Sequence, residues 1–146
     1  MKVLIADDEP LARERLRDFL GRDAEVAIVS ESTNGDEAAF AMLKDRPDIV
    51  LLDVQMPGMS GFEVLQKIGV ENAPAAVIFI TAHDHFALKA FEVHAVDYLL
   101  KPFDRARLAT AMDRAKTRVR ANKGPESSAQ LTSLLAELNA TQKAQD

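Results

Sequence analysis

The sequence predicts an α/β fold: a doubly wound parallel sheet of five strands with helices on both faces. Three observations predict it. Five short runs rich in Val, Ile, Leu and Phe recur along the chain, stretches with apolar residues at helical spacing lie between them, and the alternation is strict. Runs that are almost continuously apolar belong to strands covered on both faces, as in a parallel sheet.

The first run, Val3 to Ala6, leads through Asp7-Asp8-Glu9 to Pro10, and proline suits a first helical turn. Ala12, Leu16, Phe19 and Leu20 then repeat at helical spacing. The second run is Val26 to Val29, after which Asn34 and Glu37 have capping-box spacing. The third is Ile49 to Leu52. Ser60 with Glu63 repeats the capping spacing just beyond it. The fourth is Ala76 to Ile80, followed by a short helix carrying Phe86, Ala90 and Phe91. The fifth is Val96 to Leu100. Asp104 can cap the last helix, with Leu108, Ala111, Met112 and Ala115 as its buried stripe. Right-handed crossovers leave few windings for such a chain, and the flavodoxin-like order 2-1-3-4-5 is the natural one.

This domain is expected to occupy residues 1–121, because Gly124-Pro125 breaks the last helix. Residues 122–146 form a linker or tail. Within it, Leu131, Leu134, Leu135 and Leu138, after the potential caps Ser127 and Ser128, have the spacing of one short amphipathic helix.

Composition excludes several function classes. The chain has no cysteine, which rules out disulfides, thiolate metal sites and cysteine nucleophiles. No apolar run is long enough to cross a bilayer, and the first strand is too short for the core of a signal peptide. A cytoplasmic protein without a membrane partner is the expectation. Arg105, Arg107, Arg114, Lys116, Arg118, Arg120 and Lys123 outnumber Asp104 and Asp113 near the end of the domain. A basic helix can touch nucleic acid, but no base-reading motif accompanies it, so a solvated face is the better reading.

The chemistry gathers where open parallel sheets bind ligands, beyond the carboxyl ends of the strands. Strand one ends in Asp7-Asp8-Glu9, strand three in Asp53, strand four in Thr81 and strand five in Lys101-Pro102. Each has a plainer reading. Asp7 and Asp8 can cap a helix, Asp53 can be a turn acid before Met56-Pro57-Gly58, Thr81 a strand residue and Lys101 a solvated charge. Four such residues on four strands at one end is the less ordinary fact. Like charges so close raise a pKa or recruit a cation. Oxygen-only ligands favour a hard ion, Mg²⁺ before Ca²⁺. Lys101 can pair with Asp53 at rest and meet a phosphoryl oxygen later. A carboxylate nucleophile, a metal and charge-neutralising donors suit phosphoryl transfer. His83, His85 and His94 lack metal-ligand spacing and read as surface or partly buried residues.

Four strings carry a resemblance: Val3 to Pro10 (VLIADDEP), Leu51 to Gly61 (LLDVQMPGMSG), Ile80-Thr81-Ala82, and Asp97 to Phe103 (DYLLKPF). Together they resemble the receiver domains of bacterial two-component response regulators, in the right order and near the expected separations. The resemblance implies that Asp53 accepts a phosphoryl group from a sensor histidine kinase. It implies that Asp8 binds Mg²⁺ directly, Asp7 through water, and Gln55 through its backbone carbonyl. Thr81 and Lys101 would contact the phosphoryl group, Tyr98 would be the rotating aromatic coupled to Thr81, and Pro102 would follow a cis peptide bond that aims Lys101. Gln55 and His83, two residues past Asp53 and Thr81, would tune the lifetime of the phosphorylated state. Such a domain signals rather than acting as an enzyme, although it assists its own phosphorylation and dephosphorylation.

A narrower resemblance runs from His83 to Phe103, which is similar to receivers of the LytTR (LytR/AlgR-like) class. In that class a DNA-binding domain follows. The tail here is too short for it, so truncation is expected, and DNA contact would belong to the missing part. Phosphorylation would reshape the surface of the fourth helix, fifth strand and fifth helix and drive homodimerisation. Three rival readings compete with this one. A dinucleotide-binding domain fails because Ala6-Asp7-Asp8-Glu9-Pro10 has no glycine and its acids repel a pyrophosphate. An aspartyl phosphatase of the haloacid dehalogenase class places its nucleophile after strand one with a second Asp two residues on, where this chain has Gln55 after Asp53. The third is a receiver-like protein-interaction module that acts without phosphorylation.

Overall fold

A computed structural model of the chain describes residues 1–123. Five strands alternate with five helices: β1 Lys2–Ala6, α1 Pro10–Leu20, β2 Ala27–Ser32, α2 Gly35–Asp45, β3 Ile49–Asp53, α3 Gly61–Ile68, β4 Ala76–Thr81, α4 Ala87–Glu92, β5 Asp97–Leu100 and α5 Arg105–Lys123. The strands form one parallel sheet in the order β2-β1-β3-β4-β5, the predicted doubly wound order 2-1-3-4-5.

The period of two along each strand explains why both faces are covered. Val3 and Ile5 of β1, Ile49 and Leu51 of β3, and Ile78 and Ile80 of β4 enter one core, with Leu16 and Leu20 of α1 and Leu108, Met112 and Val119 of α5. Leu4 and Ala6, Val50 and Leu52, and Val77 and Phe79 enter the other, with Met42 of α2, Phe62 of α3 and Ala90 of α4. The central strands β3 and β4 are buried along their whole length.

The capping signals act as the sequence implies at three helices. Asn34 accepts a hydrogen bond from the Glu37 amide at 2.8 Å, and Ser60 one from the Glu63 amide at 3.1 Å. Asp104 does the same for α5, accepting from the Arg107 amide at 2.7 Å.

Several boundaries differ from expectation: β1 begins at Lys2, and β3 and β4 run on to Asp53 and Thr81. β2 starts one residue later and runs on through Ser30-Glu31-Ser32, because an edge strand needs little apolar cover when the β1 ladder holds its polar end, Ala6 opposite Ser32. β5 begins at Asp97 rather than Val96. Phe86 lies in the 3-10 turn Asp84–Phe86 ahead of α4, and Phe91 faces outward at 79% exposure, so Ala90 alone anchors this two-turn helix. The predicted stripe over Leu131, Leu134, Leu135 and Leu138, and the Gly124-Pro125 break, lie outside the described residues.

The basic face of α5 is largely engaged within the domain. Arg107 grips Asp97 through both guanidinium nitrogens, at 2.6 and 2.7 Å, and Arg114 reaches the same carboxylate at 3.0 Å. Lys116 pairs with Asp23, Arg120 with Glu25, and Arg118 donates to the His94 carbonyl. Burial works to raise the Asp97 pKa, but the Arg107 hydrogen bonds and charge hold it below the usual carboxylate range. Among the described residues, no helix is long and apolar enough to cross a membrane.

Candidate functional site

At the carboxyl end of the sheet, β1, β3 and β4 finish in the same way. A side chain at the strand's last position, or one past it in β1, accepts the amide two residues on: Asp7 from Glu9 at 2.9 Å, Asp53 from Gln55 at 3.1 Å and Thr81 from His83 at 3.3 Å. These side-chain turns are favoured by Asp and Thr and end each strand abruptly. They also fix one oxygen of each side chain and leave the rest of it to the cleft.

The plainer reading of Asp7 and Asp8 fails here, because the residue ahead of α1 is Glu9 and no side chain caps that helix. Asp7, Asp53 and Thr81 are buried, Asp53 at 5% exposure, whereas Asp8 and Glu9 are open to solvent. Oxygens of all four acids lie within 4.8 Å of one another, the only such cluster of ligating side chains among the described residues. The three histidines take no part in it.

Lys101 is the one ammonium in this corner, with its Nζ 2.8 Å from Asp7 Oδ2 and 3.2 Å from both Asp53 Oδ2 and Glu9 Oε1. Its backbone amide donates to the Thr81 carbonyl at 2.8 Å, and the peptide bond to Pro102 is cis. Burial works to lower the Lys101 pKa, but the surrounding acids, Asp7 first, push it above its ordinary value. Burial and the Asp7 charge push the Asp53 carboxyl up to about 7, against the opposing pull of Lys101 and the Gln55 amide.

Four acids facing one lysine are under-compensated. Asp7 Oδ2 is buried, and its partner is the Lys101 ammonium at 2.8 Å, which Asp53 and Glu9 also share. A buried carboxylate beside three more, with one ammonium shared among them, fits a hard divalent cation with oxygen ligands.

A cavity of about 720 Å³ opens above Asp53, lined among others by Asp8, Glu9, Gln55, Thr81, His83 and Lys101. Tyr98 borders this region from β5. Its ring is half-buried against the core and its hydroxyl donates to the His83 carbonyl. The structure thus brings Asp7, Asp8, Asp53, Gln55, Thr81, His83, Tyr98, Lys101 and Pro102 into one neighbourhood.

Two contributors escaped sequence reasoning. Glu9 had no role assigned, though its place in a run of three acids was a signal. Gly61 entered only as the last residue of the string Leu51 to Gly61. A Cβ built there would lie 2.6 Å from the Asp53 carbonyl oxygen and 3.2 Å from the Phe79 ring. Gly61→Ala is therefore expected to cost about 1–3 kcal/mol by overpacking, measured by chemical denaturation, and to displace the end of β3.

The chain matches the family model described as response regulator receiver domain over residues 3–113. This chain is a response-regulator receiver. It is 50% identical over 116 residues to the transcriptional regulatory protein BtsR of Escherichia coli K12, covering 80% of this chain and 48% of that one. It is 43% identical over 116 residues to the sensory transduction protein LytT of Bacillus anthracis, covering 80% and 47%, in keeping with the narrower resemblance to LytTR-class receivers. Among solved structures, the receiver domain of AraT from Geobacillus stearothermophilus superposes with a TM-score of 0.76 at 32% identity, covering 84% of this chain and 98% of that chain. The receiver spans about half the length of the curated relatives it matches. Response regulators are phosphorylated by histidine kinases and act through output domains. Receivers are signalling domains, and they generally bind Mg²⁺ at an acidic pocket.

Proposed function

We propose that this receiver, residues 1–121, accepts a phosphoryl group on Asp53 from the phosphohistidine of a sensor kinase and converts it into a change of surface. The observation that carries the proposal is the placement of Asp53. A buried carboxylate sits at the end of a central strand, opposite Lys101, inside a cluster of four acids.

Asp8 would hold Mg²⁺ directly, with Asp53 and the Gln55 carbonyl, and Asp7 through water. When bound, the ion neutralises the carboxylates and charge on the phosphoryl oxygens. Asp53 is the nucleophile; its Oδ1 is oriented by the Gln55 amide and its Oδ2 faces Lys101. Lys101 already lies within reach of Asp53 and meets charge on the transferring group. The Thr81 hydroxyl is tied to the His83 amide at rest. The new dianion offers it a stronger partner, drawing the β4–α4 loop inward.

Tyr98 is bonded to that same loop through the His83 carbonyl, so movement of the loop frees the ring to rotate. Gln55 and His83 flank the phosphoryl group and tune its lifetime by admitting or shielding water. The surface of α4, β5 and α5, where Leu88, Phe91 and Leu100 are exposed, then pairs with a second copy. DNA is reached only through an output domain beyond this receiver. Phosphorylation must favour the active state by a few kcal/mol to act as a switch.

Incubation with Mg²⁺ and acetyl phosphate is expected to add the mass of one phosphoryl group, and neither Asp53→Ala nor a metal-free sample should gain it. Light scattering on the same samples reads dimerisation. No mass gain in folded, Mg²⁺-loaded protein would move the reading to an interaction module that works without phosphorylation.

A further inference from the structure

A second cation faces the cavity above Asp53 and has no part in the mechanism so far. Lys101 enters from the loop after β5, beside Asp7 and Glu9. Lys89 enters from α4, on the sheet face that also carries α3. Its ammonium rests over the ring of Phe62, 4.8 Å from the centroid. That ring is fixed in turn, because Phe62 is buried and packs against Phe79 at a tilt of 43° with centroids 4.7 Å apart. An ammonium held on an aromatic face keeps its charge while losing much of its freedom. Lys89, Phe62, Asp53 and Lys101 all line the same cavity.

The charges around that cavity give such a cation a task. Asp8, Glu9 and Asp53 line it, and Glu63 adds another acid, against Lys101 and Lys89. Even with a divalent ion among these acids, a small phosphodonor is an anion that only cations can hold. Lys101 is already shared among three acids, so Lys89, whose recorded contact is an uncharged ring, is the cation left to receive the donor.

We propose that Lys89 is a positioning residue for anionic phosphodonors, holding the donor's phosphate from the α4 side while Asp53 attacks. The proposal rests on the phosphoacceptor reading of Asp53. With acetyl phosphate, an Asp53 oxygen forms the new bond to phosphorus as the bond from phosphorus to the acyl oxygen breaks. The electron pair leaves with acetate and no proton has to move. With phosphoramidate the phosphorus–nitrogen bond breaks, and the already protonated nitrogen leaves as ammonia.

The test compares the parent receiver with Lys89→Gln and Lys89→Arg, all with Mg²⁺, by initial phosphorylation rate against donor concentration. Acetyl phosphate is doubly charged near neutral pH and phosphoramidate carries a single net charge. Lys89→Gln is expected to raise the half-saturating concentration of acetyl phosphate about threefold to fivefold, the size of an exposed ion pair. The rise with phosphoramidate should stay below about twofold, Lys89→Arg should restore both, and added salt should shrink the difference. An equal change with both donors, a fall in maximal rate with unchanged half-saturation, or an Arg variant that behaves like Gln would overturn the proposal. If the parent itself gains no phosphoryl mass, the phosphoacceptor reading fails and takes this inference with it.

Discussion

Lys101→Met is expected to destabilise the metal-free domain by about 2–4 kcal/mol near pH 7.5, read by urea denaturation. Methionine keeps the length and apolar stem of the side chain and removes only the charge. What remains is Asp7 and Asp53, both buried, beside Asp8 and Glu9 with no ammonium among them. Removing one partner of a buried pair typically costs about 3–5 kcal/mol because a charge is left uncompensated. The lower end applies here, since Glu9 can swing into water and Asp53 can take up a proton. Two controls separate this from a packing defect. Mg²⁺ binds the folded state and should recover much of the loss. Acidification towards pH 5 should do so as well, because a neutral Asp53 no longer needs the lysine. A loss independent of both pH and Mg²⁺ would mean that Lys101 matters for its stem rather than its charge.

The parts of the site that the sequence revealed are those fixed by topology. In a parallel sheet every strand ends on the same side, so Asp7, Asp53, Thr81 and Lys101 had to meet once their strands were recognised. Their detailed partners follow from local chemistry that is also short-range, such as the side-chain turns at Asp7, Asp53 and Thr81. What stayed hidden depends on how helices pack on the sheet. Lys89 reaches the cavity because α4 and α3 share a face, and Gly61 matters because α3 starts against the Asp53 carbonyl. Neither is a pattern along the chain. The polar end of β2 was missed for a related reason: an edge strand is held by its ladder, not by an apolar run.

Under the proposed mechanism the resting site trades stability for readiness, and Asp53→Asn tests that trade. Asparagine keeps the shape, removes one buried negative charge from the cluster and retains an oxygen for the Gln55 amide. Because burial and Asp7 push the folded Asp53 pKa up to about 7, while an unfolded Asp titrates near about 3.9, the folded state holds its proton over a range where the unfolded chain has lost it. Stability of the parent therefore falls as pH rises from about 4 to about 7 and levels off above that. Asp53→Asn has no such term at this position. It is expected to match the parent near pH 4 and to exceed it by about 1–3 kcal/mol at pH 7.5 without metal, measured by thermal or urea unfolding across that range. Mg²⁺ should narrow or reverse the order, since the parent offers the full set of carboxylates and the variant does not. If the two proteins instead keep a constant gap from pH 4 to pH 8, the Asp53 carboxyl titrates alike in the folded and unfolded states and Lys101 compensates its burial fully. In that case the acidic corner is a balanced ion-pair network at rest, and the ion would serve transfer of the phosphoryl group rather than relief of repulsion.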